Sequence, residues 1–419
     1  MTDPSPRRSL SARLLPETGP QRAISLATFV NTFGSGLFLT VGALYFTRIV
    51  HLSTQRYAIG LLVGSLVGLL VGLVAGHVAD RVGARETQMV VKLTGAVGMV
   101  GYLFVANFWQ FVVVSAVVGI ATGAHAPCQS PLIRAYGGEN PVRFRAYQRS
   151  LTNLAIALGV LVAGIAIAVG SRFAYQLVLG IRAGAYVACV LALLRVPRVT
   201  PTQRGVLDRR WMALRDYPYL AATMLNSLMS IHFVVPGLLL PLWIASETHA
   251  PASIVSVGLI LNTVIVVCLQ VRASRGVDDP RSAGTRMLWA GFAVAAGLGL
   301  LALAHGPSAV LATVLILVGV GVYTLGELWH AAAAMEYEFG LAAPHAQGQY
   351  SGVFALGQGL AQAVAPVIVG AISLGHGVPG LLVLGLGFLV VGAVNRPLLA
   401  IALRSLSNDA IVDEQMAGR

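Results

Sequence analysis

The sequence predicts an all-α polytopic membrane protein with twelve membrane-spanning helices. Of its 419 residues, 56% are hydrophobic and only 11% are charged, whereas a soluble globular domain carries about 25% charged residues. Mean hydropathy is +0.78, and apolar runs long enough to cross a bilayer recur along the whole chain. The runs do not alternate in polarity as the strands of a membrane β-barrel do. A water-soluble fold is therefore excluded.

The expected spans form two groups of six. They lie near 24–47, 57–79, 89–106, 109–132, 147–170, 174–195, 219–245, 253–271, 284–304, 308–335, 348–373 and 378–400. The longest internal polar interval is rich in proline and arginine and separates the sixth span from the seventh. The expected organisation is a tail, a six-helix bundle, a linker, a second six-helix bundle and a tail, at residues 1–22, 23–195, 196–218, 219–403 and 404–419. The first 22 residues lack the features of a cleavable signal peptide, so the first span is expected to remain as an anchor.

The basic residues predict the orientation of these spans. The chain has 28 Lys and Arg against 16 Asp and Glu, a net charge of +12, which in a soluble protein would suggest nucleic acid. With a cytoplasmic N-terminus, only Arg48, Arg56 and Arg172 fall on the opposite face. Arg182 falls within a span, and we expect it to snorkel to the outer interface. Lys92, the only lysine, is grouped with the cytoplasmic residues. The positive-inside rule thus predicts a multi-pass protein of the cell (inner) membrane, with both termini cytoplasmic and no nucleic-acid partner.

The sharpest motif follows the second span, at the turn to the third. Its defining residues are Gly76, Asp80, Arg81, Gly83 and Arg85. It resembles the loop signature of the major facilitator superfamily, G-x-x-x-D-R-x-G-R-R/K, and departs from it at Ala84. Glycine permits close helix approach at Gly76 and a positive φ at Gly83. Asp80 could accept charge-assisted bonds from helix-terminal arginines, so we interpret the motif as a conformational gate.

The resemblance extends to later helices. Gly326 with Glu327, and the run from Gly348 to Gly352, are similar to patterns of the exporter branches. The helix-five antiporter signature, in contrast, is reduced to Gly159 and Gly164, without its proline. The resemblance implies the major facilitator fold and alternating access. It also implies proton-coupled efflux, by antiport, of a hydrophobic or amphipathic small molecule such as a drug or secondary metabolite. No cofactor is expected, because the proton-motive force supplies the energy.

Ionisable groups at membrane depth are costly, so each one is a functional hypothesis. Glu327 and His330 lie three residues apart on the predicted tenth helix, within side-chain reach of each other. We interpret them as the proton-coupling pair, because an imidazole can relay a proton to or from a carboxylate. The alternative is that Glu327 makes a structural ion pair with a cytoplasmic arginine.

Four further polar residues are candidate substrate contacts: Asn31, Asn226, His232 and Gln358. Helices one, four, seven and ten line the cavity in the resembled superfamily, which favours Asn31 over Gln358 of helix eleven. Pro236 and Pro241 loosen the backbone near His232, and loosened backbone is tolerated only against protein or a water-filled cavity. The alternative for each residue is packing or interhelical hydrogen bonding.

Other function classes are excluded or left open. A P-loop needs a lysine in a glycine-rich context that Lys92 does not provide, so ATP-driven transport by this chain alone is excluded. The three cysteines, Cys128, Cys189 and Cys268, match neither a disulfide framework nor a metal site, and no metal is expected. Proton-linked nutrient uptake and a membrane-embedded enzyme remain alternatives. The expected partners are a small-molecule substrate, protons and the lipid bilayer, and a monomer is expected.

Overall fold

The computed structural model describes residues 19–138, 141–199, 211–251, 253–374 and 376–417. Within these ranges every regular element is helical, which confirms the all-α class. The predicted N-terminal tail, up to residue 18, and the central part of the linker, residues 200–210, lie outside the described residues. So do residues 418 and 419 of the predicted C-terminal tail.

The first half of the chain contains six long helices. They are α1 (Gly19–Ile49), α2 (Thr54–Val82), α3 (Ala84–Tyr102), α4 (Phe108–Tyr136), α5 (Pro141–Val169) and α6 (Arg172–Leu193). Polar side chains begin several of them. Ser53, Asn107 and Ser171 each accept a hydrogen bond from a first-turn amide of α2, α4 and α6, respectively.

The second half repeats this arrangement. Its helices are α7 (Tyr217–Glu247), α8 (Ile254–Ala273), α9 (Pro280–Leu303), α10 (Ala309–Gly340), α11 (Gln347–Val369) and α12 (Gly377–Ala417). Helix α7 is irregular at its centre, where a 3₁₀ turn, Ile231–Val234, is followed by a π turn, Val235–Leu239. Because proline lacks an amide hydrogen, Pro236 accounts for the lost α-helical bonding there.

Helix α3 differs from the other eleven. Eleven helices of the described residues are long and apolar enough to cross a membrane, and α3 is the twelfth long helix beside them. The predicted third span, near 89–106, was placed too far along the chain, because α3 begins at Ala84. Its early start adds Arg85 and Glu86 to a helix that already contains Lys92, and these charges lower its apolar character.

Close backbone packing shapes each bundle. Helix α1 packs on α5 and α6, and α2 packs on α4; in the second half, α9 packs on α10 and α12. Along the α2–α4 contact, a Cβ atom at Gly64 or Gly68 would lie 2.5 Å from the carbonyl oxygen of Ser115 or Gly119, respectively. Only glycine permits this approach. The two halves meet through α2 against α11 and α5 against α8.

Candidate functional site

The gate motif joins the two bundles where α2 ends and α11 begins. The Asp80 carboxylate accepts hydrogen bonds from the backbone amides of Gly348, at 2.8 Å, and Gln349, at 2.9 Å. Gly76 lies directly against Gly348, where a side chain would collide with the backbone. Among the described residues no arginine bonds to Asp80, contrary to the expectation. The first amides of a helix have no intrahelical acceptor and carry partial positive charge, so α11 supplies the donors instead.

The other three motif residues, Arg81, Gly83 and Arg85, do not lie together at one site. Arg81 lies on the exposed side of α2. Gly83 has φ +122°, a backbone conformation that favours glycine, and it forms the turn into α3. Arg85 donates from Nη1 to the carbonyl oxygen of Val196, at 2.8 Å, which ties the start of α3 to the end of α6.

A second set of inter-bundle bonds lies at the same end of the molecule. Arg134 of α4 donates to the carbonyl oxygen of Phe339 and to Oε1 of Gln347, both at 2.6 Å. Ser130 lies 2.5 Å from the carboxylate of Glu338. The inter-bundle hydrogen bonds found among the described residues thus lie towards one end of the bundles, where α2 ends and α11 begins. We call it the arginine-rich end, because most of the basic residues of the sequence are expected there, and it is closed in this conformation.

A third inter-bundle contact is an ion pair. Arg149 Nη2 of α5 lies 3.0 Å from Glu327 Oε1 of α10, and Glu327 is 9% exposed. The other carboxylate oxygen accepts from Asn262 Nδ2 of α8 at 2.9 Å. The Arg149 guanidinium also lies 5.4 Å from the ring centre of Phe233. Glu327 is therefore held by one charged and one neutral donor, from opposite bundles.

A buried hydrogen-bonded chain lies behind this ion pair. Tyr323 Oη lies 2.8 Å from His232 Nδ1, His232 Nε2 lies 2.9 Å from His330 Nδ1, and His330 Nε2 lies 3.0 Å from Asn226 Oδ1. Both imidazoles are fully buried. The hydrogen bonds of His330 thus go to α7 rather than to Glu327. The His330 ring stacks on Phe233, at 5.3 Å, and Phe233 is the link between the chain and Arg149.

This row of hydrogen-bonded side chains can hold an additional proton without losing a hydrogen bond. In the neutral state, Tyr323 donates to His232, His232 to His330, and His330 to Asn226. When His330 carries two protons, its Nδ1–H donates to His232 Nε2, and His232 Nδ1–H donates to the tyrosine oxygen. Tyr323 then donates to the carbonyl oxygen of His232, which lies 2.8 Å away. We call Tyr323, His232, His330 and Asn226 the histidine chain.

Asn31 and Arg182 lie elsewhere, inside the first bundle. Asn31 Oδ1 accepts from Lys92 Nζ at 3.0 Å, and its backbone carbonyl accepts from Arg182 Nη1. The expected snorkelling of Arg182 was wrong, because the residue is 5% exposed. Lys92, which was grouped with the cytoplasmic residues, is also buried, at 2% exposed. Gly34 makes room for the Arg182 stem, since a Cβ atom there would lie 2.8 Å from Cδ.

The proposed substrate contacts are thus not all gathered at one point. Asn226 and His232 belong to the histidine chain, Asn31 belongs to the first bundle, and Gln358 is half-buried on α11. Arg149 escaped the sequence prediction because it lies near the predicted start of the fifth span, at 147, whereas α5 begins at Pro141 and places it more than two turns into the helix. Asn262 and Tyr323 carried no sequence signal beyond being polar groups in apolar runs.

Comparison with known proteins agrees with this architecture. The family model described as Major Facilitator Superfamily matches residues 24–366. The chain belongs to the Major Facilitator Superfamily. No protein among the curated sequences matches it. The superfamily assignment, together with the transporter structures described next, indicates a multi-pass membrane transporter rather than an enzyme.

Three solved structures show the same fold at low identity. A bacterial homologue of the iron transporter ferroportin, in an outward-facing state, has TM-score 0.67 and 12% identity, over 92% of this chain and 99% of that one. The human organic anion transporter MFSD10 (TETRAN) has TM-score 0.61 and 13% identity, over 92% and 100%. The nucleoside transporter NupG has TM-score 0.54 and 14% identity, over 92% and 99%.

Superfamily membership gives the polar groups between the bundles a functional context. In alternating access, the two bundles rock against each other around a site between them. Arg149 and Glu327 belong to opposite bundles, so their ion pair must lengthen or break when the bundles separate at this end. The Asp80 bonds to α11 are subject to the same motion.

Proposed function

We propose that this transporter exports a hydrophobic or amphipathic small molecule in exchange for protons. The observation that carries the proposal is the Arg149–Glu327 ion pair, which joins the two bundles at 3.0 Å and adjoins the histidine chain through Phe233. Protonation of Glu327 would remove the negative charge that holds Arg149 and would leave a weaker bond from the guanidinium to a neutral carboxyl group. Protonation of the Glu327 carboxyl group would thereby change which arrangement of the two bundles is favoured.

The direction in which a proton on Glu327 would shift the two bundles favours antiport. The arginine-rich end, which the positive-inside rule places in the cytoplasm, is closed in this conformation. A proton that reaches Glu327 from the outside would weaken the closure and favour opening towards the cytoplasm. Release of that proton into the cytoplasm would restore the ion pair, and the bundles would close again around the loaded cargo. Protons would move inward and cargo outward.

The histidine chain would supply the second half of this mechanism. Its four members can accept one additional proton by reversing the direction of their hydrogen bonds. A proton held there would lie near the Arg149 guanidinium, because Phe233 contacts both groups. Repulsion between the two positive charges would favour the broken ion pair. In this proposal, His232 and His330 hold the coupled proton. Its positive charge weakens the ion pair between Arg149 and Glu327.

The test is substrate-stimulated proton flux in sealed proteoliposomes, with a panel of hydrophobic antibiotics and a pH-sensitive dye. We expect the wild type to move protons against the direction of cargo movement and Glu327→Gln to move none. Glu86→Gln is the matched control. Glu86 is a carboxylate of the same end that pairs with Arg198, at 3.2 Å, rather than across the bundles. It should retain wild-type flux.

Two results would contradict the proposal in different ways. If Glu327→Gln moves cargo and protons as the wild type does, Glu327 is a structural partner of Arg149 and coupling must be sought at His232 or Asp80. If protons and cargo move in the same direction, the protein is a proton-linked uptake carrier.

A further inference from the structure

The Arg149 guanidinium lies against groups that all belong to the opposite bundle. Arg149 comes from α5 of the first bundle, whereas Glu327, Asn262 and Phe233 come from α10, α8 and α7 of the second. The guanidinium lies 3.0 Å from the carboxylate and 5.4 Å from the centre of the aromatic ring. A carboxylate beside an aromatic ring is a combination that attracts organic cations.

The groups of the second bundle are held in place by contacts within that bundle. Asn262 Nδ2 donates to Glu327 Oε2 at 2.9 Å and to Thr324 Oγ1 at 3.0 Å. The Phe233 ring stacks on His330, with 5.3 Å between the ring centres. None of these contacts involves α5, so they persist when α5 moves away with the first bundle. The carboxylate and the ring then stay together, and the carboxylate loses its cation.

Arg149 makes few hydrogen bonds to this site. A guanidinium has five N–H donors, and the described residues give Arg149 one side-chain hydrogen bond, from Nη2 to Glu327 Oε1. In the same part of the chain, its Nε is buried without a hydrogen-bond partner. A guanidinium that is free to turn can give a carboxylate two parallel hydrogen bonds, which together are stronger than one. A free organic cation could therefore compete with Arg149 for Glu327.

We propose that Glu327 and Phe233 bind the cationic head of the cargo, with Asn262 as the positioning residue of the carboxylate, and that Arg149 is a tethered competitor for this site. The head is a guanidinium or ammonium group, because such a group needs no more room than the Arg149 guanidinium vacates. This inference rests on the proposed export and adds the chemical class of the cargo, an amphipathic organic cation. The cation binds while the arginine-rich end is open, and the returning Arg149 displaces it when that end closes.

The two members of the ion pair should have opposite effects on cation binding. The measurement is the Kd of benzylguanidinium for the full chain in nanodiscs of zwitterionic lipid, by calorimetry at mildly alkaline pH. Arg149→Ala should bind about tenfold more tightly than the wild type, because the site no longer has to be vacated first. Glu327→Gln should bind at least about tenfold more weakly, through the loss of the charged acceptor. Arg145→Ala is the matched control on α5 and should bind as the wild type does, because Arg145 lies near Glu338 instead.

Probes without a positive charge separate recognition of the cation from hydrophobic binding. Benzylurea has nearly the same shape as benzylguanidinium but no charge, and phenylacetate carries the opposite charge. Neither should bind measurably. Methylguanidinium should also raise the midpoint of thermal unfolding of Arg149→Ala, because it restores a cation beside Glu327. It should leave the midpoints of the wild type and of Arg145→Ala unchanged.

Three results would overturn the inference: benzylurea binding as tightly as benzylguanidinium, Arg149→Ala binding no more tightly than the wild type, or Glu327→Gln keeping the wild-type Kd. If Arg149→Ala does not fold, the three probes on the wild type and on Glu327→Gln still decide.

Binding is measured without a proton gradient, so failure here differs from failure of the export proposal. Proton exchange with an uncharged antibiotic, together with no benzylguanidinium binding, would overturn this inference alone. Benzylguanidinium binding with the expected variant effects, but without proton flux, would support the cation site and contradict antiport.

Discussion

The two bundles bury polar clusters of opposite electrostatic character. In the second bundle, Glu327 has a charged partner, Arg149, supplied by the first bundle, and the members of the histidine chain are hydrogen-bonded to one another. In the first bundle, Lys92 and Arg182 are surrounded by neutral groups from their own bundle. The comparison teaches that charge compensation across the bundle boundary makes a contact sensitive to bundle motion, whereas basic groups bonded only within one bundle keep their partners when the bundles move.

Removing the charged partner at the boundary should have the largest effect. Arg149→Met leaves Glu327 buried without its cation, a change that costs about 3–5 kcal/mol in buried pairs. We expect a marked fall in the midpoint of thermal unfolding of the purified protein. Arg145→Met is the control on the same helix, because its nitrogen lies 3.8 Å from Glu338 and the contact is weaker.

A second substitution tests whether Arg149 and Glu327 form a coupled pair. Adding Glu327→Gln to Arg149→Met removes the orphaned charge and should restore much of the lost stability. Additive losses in the double variant would show that the two residues do not form a coupled pair, and the contrast between the bundles would then lose its basis.

Shortening the histidine chain should have an intermediate effect. Tyr323→Phe removes the hydroxyl that must turn between His232 Nδ1 and the His232 carbonyl when the chain takes up a proton. The lost hydrogen bond costs about 1 kcal/mol. Substrate-stimulated flux should slow and change its pH dependence.

Tyr337→Phe is the matched control for this variant. Tyr337 is another buried tyrosine of α10, and its hydroxyl lies 2.5 Å from Asn395 Oδ1 of α12, outside the histidine chain. It should lose similar stability and keep the wild-type pH profile. Equal profiles in both variants would argue against a proton on the chain.

Removing the uncompensated charge of the first bundle should have the smallest effect on stability. Lys92→Met replaces a buried ammonium with an unbranched apolar side chain of similar length, and substitution of buried charges by apolar groups is often neutral or stabilising. We expect the unfolding free energy to stay within about 1 kcal/mol of the wild type. A loss comparable to that of Arg149→Met would show that Lys92 is compensated after all.

Much of this architecture could be predicted from the sequence because it depends on composition and spacing. Apolar runs long enough to span a bilayer must form helices there, since no water satisfies the backbone. The motif at the end of α2 was recognised from its residue spacing, and Gly83 takes the positive φ expected of it because a turn is a local backbone feature. The boundary of α3 was misplaced because charged residues inside a helix resemble a loop when only hydropathy is considered.

The partners of the polar residues could not be predicted. Asp80 was expected to bind arginines and binds the amides of α11, and Arg182 was expected at the interface and lies in the core. Arg149 and Glu327 are 178 residues apart in the sequence, yet they meet at 3.0 Å. Which side chains meet depends on how each helix is oriented about its own axis and how it packs. The mean hydropathy of a span does not determine that orientation.

The sequence by itself thus determined that this chain is a helical membrane protein in two halves, with a motif of the Major Facilitator Superfamily at one end. Only the tertiary structure decided which bundle compensates which charge. The physical reason is that burial in a bilayer is set residue by residue along the chain, whereas an ion pair or a hydrogen-bonded chain needs side chains from several helices to converge within about 3 Å.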